Sequence, residues 1–366
     1  MSGQVTADGT QDGASAEAAS TGRARRKPPG IKDVAAAAGV SWKTVSNVVN
    51  GTGRVGAATR ERVEGVIAEL GYRPSLAGRQ LRQGRTGILA LAVPQIDSPY
   101  FSTLAHEAIE VAAARGYRVL IDETRGDAEA ERLVARGFDV RLIDGIVFSP
   151  LDLSLSDVDE LRGTTPMVLL GERPWNPGAP LATDHVSIDN VAAAREATRH
   201  LLDTGRRRLA FLGAEPGVPE RSGAPRLRGF VEELRDAGLE ARPDWMLPVP
   251  DYGRAAGARA LEDVLARVGE IDGLVCGNDL LALGAMHVLR TNGVRVPEDV
   301  GVVGWDNTED GRYANPGLTT VAPDVRGIAE RAVARLVAQV EGGAGEAEDV
   351  VAPHRLLVRE SSRRGA

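Results

Sequence analysis

Beyond Gly87 the sequence settles into one rhythm. The apolar runs ILALAV, YRVLI, GIVF, MVLLG, RLAFLG, GLVCG and VGVVGW are separated mostly by helical stretches, among them Tyr100 to Arg115, a stretch ending at Phe138, Val191 to Thr204, Ala224 to Ala237, Ala255 to Val268 and Leu280 to Asn292. The runs are apolar along most of their length instead of alternating, the pattern of strands buried on both faces, and strands that alternate with helices imply parallel sheets covered on each side. About 280 residues carry the rhythm, more than one such core usually holds, so two sheets are expected. In open parallel sheets ligands bind beyond the carboxyl ends of the strands. A pocket is therefore expected at the loops after ILALAV, AFLG, LVCG and VVGW.

The residues before Gly87 have a different texture. Met1 to about Pro29 is rich in Gly, Ser, Ala and Thr with almost no bulky apolar side chains, too little to offset ordering entropy, so a disordered tail is expected. IKDVAAAA then reads as a short helix ended by Gly39, and Ser41 is a good N-cap for WKTVSNVV, which stops at Asn50-Gly51. A third helix is predicted from Ala57 to Leu70, with Val63, Val66, Ile67 and Leu70 on one face. Three short helices with a tight turn between the first two form a helix-turn-helix unit.

Charge divides the chain the same way. Between Arg23 and Arg85 there are 13 Lys and Arg against 4 acids, +9, so the net −7 of the whole leaves −16 elsewhere. A small basic module on an acidic body suggests a nucleic-acid head on a different kind of domain. On the second helix Val45, Val48 and Val49 share a face, leaving Lys43, Ser46, Asn47 and Asn50 opposite, flanked by Trp42 and Thr44. That outward set supplies what a major groove requires: Asn pairs with adenine N6 and N7, Lys with guanine or phosphate, Ser or Thr with either.

Other classes fit less well. No apolar run approaches the ~20 residues that span a bilayer, and no signal-peptide stretch opens the chain, so a cytoplasmic protein is expected. The single Cys276 lies in an apolar strand run, and His106, His185, His200, His287 and His354 show no metal-ligand spacing; neither metal nor cofactor is expected. There is no G-x-S-x-G elbow and no phosphate loop after a strand, so an enzyme is not expected. GTGRVG at Gly51 to Gly56 matches a dinucleotide pattern but follows a helix, where a loop touching DNA phosphate through Arg54 is the better reading.

IKDVAAAAGVSWKTVSNVVNG and VGAATRERVEGVIAELGYRPSLAGRQLRQGRTG resemble the DNA-binding head and hinge of the lactose-repressor (LacI/GalR) family, and SPYF, RLRGF, CGNDLLALGAM, VGVVGWDNTED and PGLTTV continue the resemblance in order through the body. The resemblance implies that Lys32, Ser41, Trp42, Thr44, Asn50, Arg54, Thr59 and Tyr72 touch the DNA backbone or position the head, while Lys43, Ser46 and Asn47 face bases. The family often has Arg or His where Asn47 stands, which makes adenine the chemical expectation at that position. PSLAGRQLRQG resembles the hinge helix, with Leu81 as the minor-groove wedge and Gly78 where the family usually has Ala. In the body the resemblance implies an effector held between two subdomains related to periplasmic sugar-binding proteins, by Tyr100, Phe101, Arg226, Tyr252, Asn278, Asp279 and Asp306. That set suits a polyhydroxylated ligand, because Asp accepts from paired hydroxyls, Arg and Asn donate, and the rings cover apolar sugar faces. Gly171, Glu172 and Arg173 stand where relatives often have Asp.

The expected organisation is multidomain: a tail (1–29), a small all-α helix-turn-helix head (30–73), a hinge helix (74–86) and an α/β body of two parallel-sheet subdomains (87–366). The first subdomain is expected to hold about 87–188 and 318–345, the second about 189–317 and 346–362. The function implied is a sequence-specific transcriptional repressor, a homodimer on double-stranded operator DNA, switched by a sugar or related polyol. A periplasmic sugar-binding protein would share the body but would have no use for the basic head.

Overall fold

The computed structural model describes residues 29–73, 85–139, 142–171, 182–214, 223–343 and 345–363. The expected tail lies almost wholly outside the described residues, as does most of the hinge segment, Gly78 and Leu81 included. The chain divides into two compact units, Met1–Arg82 and Gln83–Ala366.

The first unit contains α1 (Ile31–Ala38), α2 (Trp42–Asn50) and α3 (Ala57–Leu70). Gly39 ends α1 at φ 63°, a left-handed conformation that frees the next turn, and the Ser41 side chain accepts from the Thr44 N–H to start α2. The core is small: Val34, Ala35, Ala38, Val45, Val48, Val63 and Tyr72.

The second unit holds two six-stranded sheets. Along the chain come β1 (Ile88–Val93), α4 (Pro99–Ala114), β2 (Arg118–Glu123), α5 (Ala128–Ala135), β3 (Gly145–Phe148), α6 (Leu155–Leu161), β4 (Met167–Leu170), β5 (Asp184–Ile188), α7 (Asn190–Asp203), β6 (Leu209–Ala214) and α8 (Gly223–Asp236). There follow β7 (Met246–Pro248), α9 (Arg254–Glu262), β8 (Gly273–Cys276), α10 (Asp279–Thr291), β9 (Gly301–Trp305), α11 (Glu309–Arg312), β10 (Thr319–Pro323), α12 (Val325–Val340), β11 (Asp349–Ala352) and β12 (His354–Leu357). The first sheet runs β11-β5-β4-β3-β1-β2 and the second β12-β10-β9-β8-β6-β7. All pairings are parallel except β10 with β12. β1 shows why its sequence is apolar throughout: Leu89, Leu91 and Val93 pack beneath α4 and α12, while Ala90 and Ala92 face a separate cluster with Val134 and Phe148.

The chain crosses between the sheets three times, and two crossings fall later than expected. Thr319–Pro323 belongs to the second sheet and Asp349–Ala352 to the first, so the crossings lie after Pro323 and after Ala352 instead of near 318 and 346. The reason is local: Gly317 breaks the pattern before β10, but Leu318 and Val321 are buried in the second lobe, and the helix that enters the first lobe begins only where Asp324 caps it. The single helix expected over Ala255 to Val268 is also divided, into α9 and a 3-10 turn Leu265–Glu270.

The C-terminal RESS segment is knitted into the second lobe. Ser361 Oγ donates to the Val302 carbonyl (2.7 Å) and accepts from Thr319 N–H (2.8 Å). The fully buried Arg206 donates to the carbonyls of Ser362 (2.9 Å) and Pro297 (2.6 Å), as well as to Thr204 Oγ. Its guanidinium fills the space over Gly301, where a Cβ would come within 2.4 Å of Cζ. Arg206→Met would leave those two carbonyls without this donor in a dry site and should lower stability by about 3 kcal/mol, read as a drop in thermal midpoint.

Candidate functional site

Two sites emerge from the residues, one in each unit. In the head, Lys32, Trp42, Lys43 and Arg54 are exposed, Trp42 at 56% even though it is the largest side chain on α2. Ser41 is committed to its cap, and its hydroxyl lies 2.9 Å from that of Thr44. Thr59 is half-buried near the start of α3, and Tyr72 is a core residue, so its direct role is to hold the head together.

Ser46 departs from the expected outward face: it is buried at 7%. A nine-residue helix packed against both α1 and α3 buries a wider stripe than its valines alone. The stripe takes in position 46, where Asn50 Nδ2 lies 3.2 Å from the hydroxyl and donates to the Ser46 carbonyl (2.6 Å). Asn47 remains half-buried at the margin, and a Cβ at Gly53 (φ 74°) would sit 2.8 Å from its amide nitrogen. The glycine-rich turn after α2 therefore serves Asn47, a role the motif comparison with dinucleotide loops did not suggest.

In the body, a cleft of about 800 Å³ opens between the carboxyl ends of the two sheets. Tyr100 and Phe101, at the start of α4, enter it as an edge-to-face pair with centroids 5.1 Å apart. Arg226 on α8 lines it from the other lobe, held within that lobe: its Nε donates to Asn190 Oδ1 (3.1 Å), its Nη1 to the Gly277 carbonyl, and its guanidinium lies 4.4 Å over the Trp305 ring. The Tyr252 hydroxyl donates to the Gly213 carbonyl (2.9 Å), and its ring covers Gly277, where a Cβ would meet Cε1 at 2.7 Å. Asn278 lines the cleft with its amide engaged, accepting from Leu281 N–H (2.8 Å) and donating to the Tyr252 carbonyl (2.9 Å).

Asp279, expected to face the effector, does not line the cleft. It is fully buried and accepts from the Thr308 N–H (2.7 Å), the Thr308 hydroxyl (3.0 Å) and the Thr320 hydroxyl (2.7 Å). Standing first in α10, it points along the sheet edge toward the next strand end, and this turns it away from the opening. Burial raises its pKa to about 6, opposed by the Thr320 and Thr308 hydrogen bonds. What it fixes is the loop that carries Asp306, whose φ of 102° is unusual for a residue with a side chain. The Asp306 carboxyl is half-buried in the cleft and has no hydrogen-bond donor among the described residues. Desolvation pushes its pKa up to about 8, with Arg226 lowering it and Asp279 raising it.

The sequence reading missed Asn190 and Trp305, which hold Arg226, and Asp97, Arg125, Ser149 and Ser187, which line the first lobe's wall. Arg125, Ser149 and Ser187 lie at the carboxyl ends of β2, β3 and β5. Applying the strand-end rule to every strand, instead of four, would have found them.

A family model described as bacterial regulatory proteins, lacI family, matches residues 30–75, and one described as a periplasmic binding protein-like domain matches 198–362. The regulator CelR of Thermobifida fusca is 34% identical over 92% of this chain and 99% of its own length. Among solved structures, a CelR–cellobiose complex is 30% identical with a TM-score of 0.67, covering 91% of this chain and 99% of that one. The lac repressor dimer bound to operator and the anti-inducer ONPF is 27% identical with a TM-score of 0.79, covering 92% and 99%. With its helix-turn-helix head and two-sheet body, this chain belongs to the LacI family of DNA-binding transcriptional regulators.

Proposed function

We propose that this protein is a cytoplasmic, dimeric, non-enzymatic repressor whose head (30–73) and hinge (74–86) bind a pseudo-palindromic operator and whose body binds a neutral sugar or related polyol. The observation that carries the effector reading is the cleft itself: aromatic edges from one lobe face an anchored Arg226 and, from the same lobe as Arg226, an Asp306 carboxyl with no hydrogen-bond donor among the described residues. Polyol hydroxyls pair with such a carboxyl in either state, donating to its oxygens and accepting its proton when it is protonated, and a ligand touching both lobes favours one lobe arrangement over another. Cellobiose, the ligand named with a solved relative, is the first probe. Dimerisation is supported by the edge strand β2, which exposes Leu120 (47%) and Ile121 (42%) beside the helix carrying the exposed Ile109. One small head offers few base contacts, so two are needed for a specific site.

The remaining DNA assignments belong to the same proposal. Lys43 and Asn47 read bases; Lys32, Trp42, Thr44, Asn50, Arg54 and Thr59 contact or orient the backbone; Ser46 and Tyr72 support the fold. Asn47→Arg should change the preferred base at one position per half-site by about 1–3 kcal/mol in a randomised operator library. Unchanged preferences would remove Asn47 from the readers.

In the cleft, Arg226→Ala should leave ligand-free operator affinity within about twofold and abolish the response to effector, measured as operator titrations with and without cellobiose. Asp306 carries a pH signature. Because the folded chain holds its carboxyl proton up to about pH 8, against an ordinary 3.8, folding takes up a proton between those values. The contribution is full below about pH 4 and lost as the pH rises through 8. Asp306→Asn removes that loss, so its thermal midpoint should exceed the parent's by about 2–4 °C at pH 8, with the advantage shrinking toward pH 4. A pH-independent difference would mean that Asp306 does not titrate there.

A further inference from the structure

Behind the cleft wall of the first lobe lies a carboxylate that the effector reading does not use. Glu131, in the first turn of α5, is fully buried and is not among the residues that line the cleft. Its Oε1 accepts from the Leu151 N–H (2.8 Å), and its Oε2 from the N–H groups of Asp152 (2.9 Å) and Leu153 (2.9 Å). No cation pairs with it among the described residues, so three consecutive backbone donors and the amino end of its own helix stabilise the charge. Three successive N–H groups that converge form a concave anion site, and here the Glu131 carboxylate fills it from the side away from the cleft.

The held segment is the cleft wall itself. Residues 149–154 all line the cleft, anchored before the clamp by the Ser149 N–H on the Ala92 carbonyl (3.0 Å) and after it by the Ser154–Asp157 capping box of α6. Leu151 rests against Gly126 (φ 65°), whose loop carries Arg125, so the same clamp spaces two neighbouring strand-end loops. Asp279 does the matching task in the second lobe, holding the Thr308 N–H beside Asp306.

We infer that Glu131 is a positioning residue for effector binding: its carboxylate sets the 149–154 wall from outside the cleft and so tunes ligand affinity without contacting ligand. The inference rests on the cleft being the effector site. Glutamine at 131 keeps the size but offers one acceptor oxygen and turns an NH2 toward backbone donors, losing at least one charge-assisted hydrogen bond.

The test compares full-length parent, Glu131→Gln and Glu131→Asp. Hydrogen exchange at the amides of 151–153 should speed about tenfold or more in Glu131→Gln, with β3 amides unchanged, and the Kd for cellobiose by titration calorimetry should rise about tenfold. Ligand-free operator affinity should stay within about twofold. Glu131→Asp, which keeps the charge one methylene short, should fall between; it also serves if Glu131→Gln does not fold. Unchanged exchange at 151–153, or faster exchange with an unchanged Kd, overturns the inference. If the parent itself does not bind cellobiose, the choice of that disaccharide fails and not the clamp, which unchanged exchange at 151–153 in Glu131→Gln still overturns.

Discussion

The body depends on one constraint: the inner strands of both sheets are apolar on both faces. In β1, β3, β6, β8 and β9 nearly every residue is buried, so almost no polar side chain can sit along a strand without losing its hydration. Polar chemistry is displaced to the strand ends. Because the strands within each lobe run almost all one way, the carboxyl ends gather on one side, and the three crossings turn those sides toward a shared cleft. The cleft is thus a consequence of how the core is built.

Backbone groups that no sheet pairs must be satisfied at the strand ends, and this chain repeatedly uses carboxylates for the purpose, at the amino ends as well as at the cleft. Asp144 accepts from the N–H groups of Thr86 and Gly87 (both 2.7 Å) where the body begins, Asp184 from Glu348 N–H (2.8 Å), and Glu131 and Asp279 hold the cleft loops. More than one donor converges on each, and Asp184 is also paired with Arg335 Nη2 (2.7 Å). Asp306 is the contrast. It lies in the same kind of place with a raised pKa and no donor among the described residues, the state of a group left for a ligand.

That contrast marks where sequence reading stops. The strands from ILALAV to VGVVGW and the head's helices were legible because apolar runs and glycine or serine caps report local physics directly. Asp279 was misread because Asn278 and Asp279 are equivalent in sequence, both polar and both after LVCG. Only the direction of α10 decides that one caps the helix at the cleft and the other turns inward. Ser46 failed for a related reason: helical period assigns faces, but a helix gripped from two sides buries a wider stripe. The β10 and β11 crossings were misplaced because the residues there say that a strand exists but not which sheet it joins.

The head sets the last requirement. Its core of seven buried apolar residues, two of them alanine, is close to the least that folds as a unit. With Ser46 inward and the Asn50 amide turned onto its own helix, the base-facing set narrows to little beyond Lys43 and Asn47. Each bidentate base contact is worth about 1–3 kcal/mol, so one head cannot separate its site from the bulk of a genome. Tethering two heads converts the second binding event into an intramolecular one, and specificity multiplies without a new contact. In the proposed dimer the body would set the spacing of the two heads, and a ligand that favours one lobe arrangement would govern DNA binding without touching the reading helix.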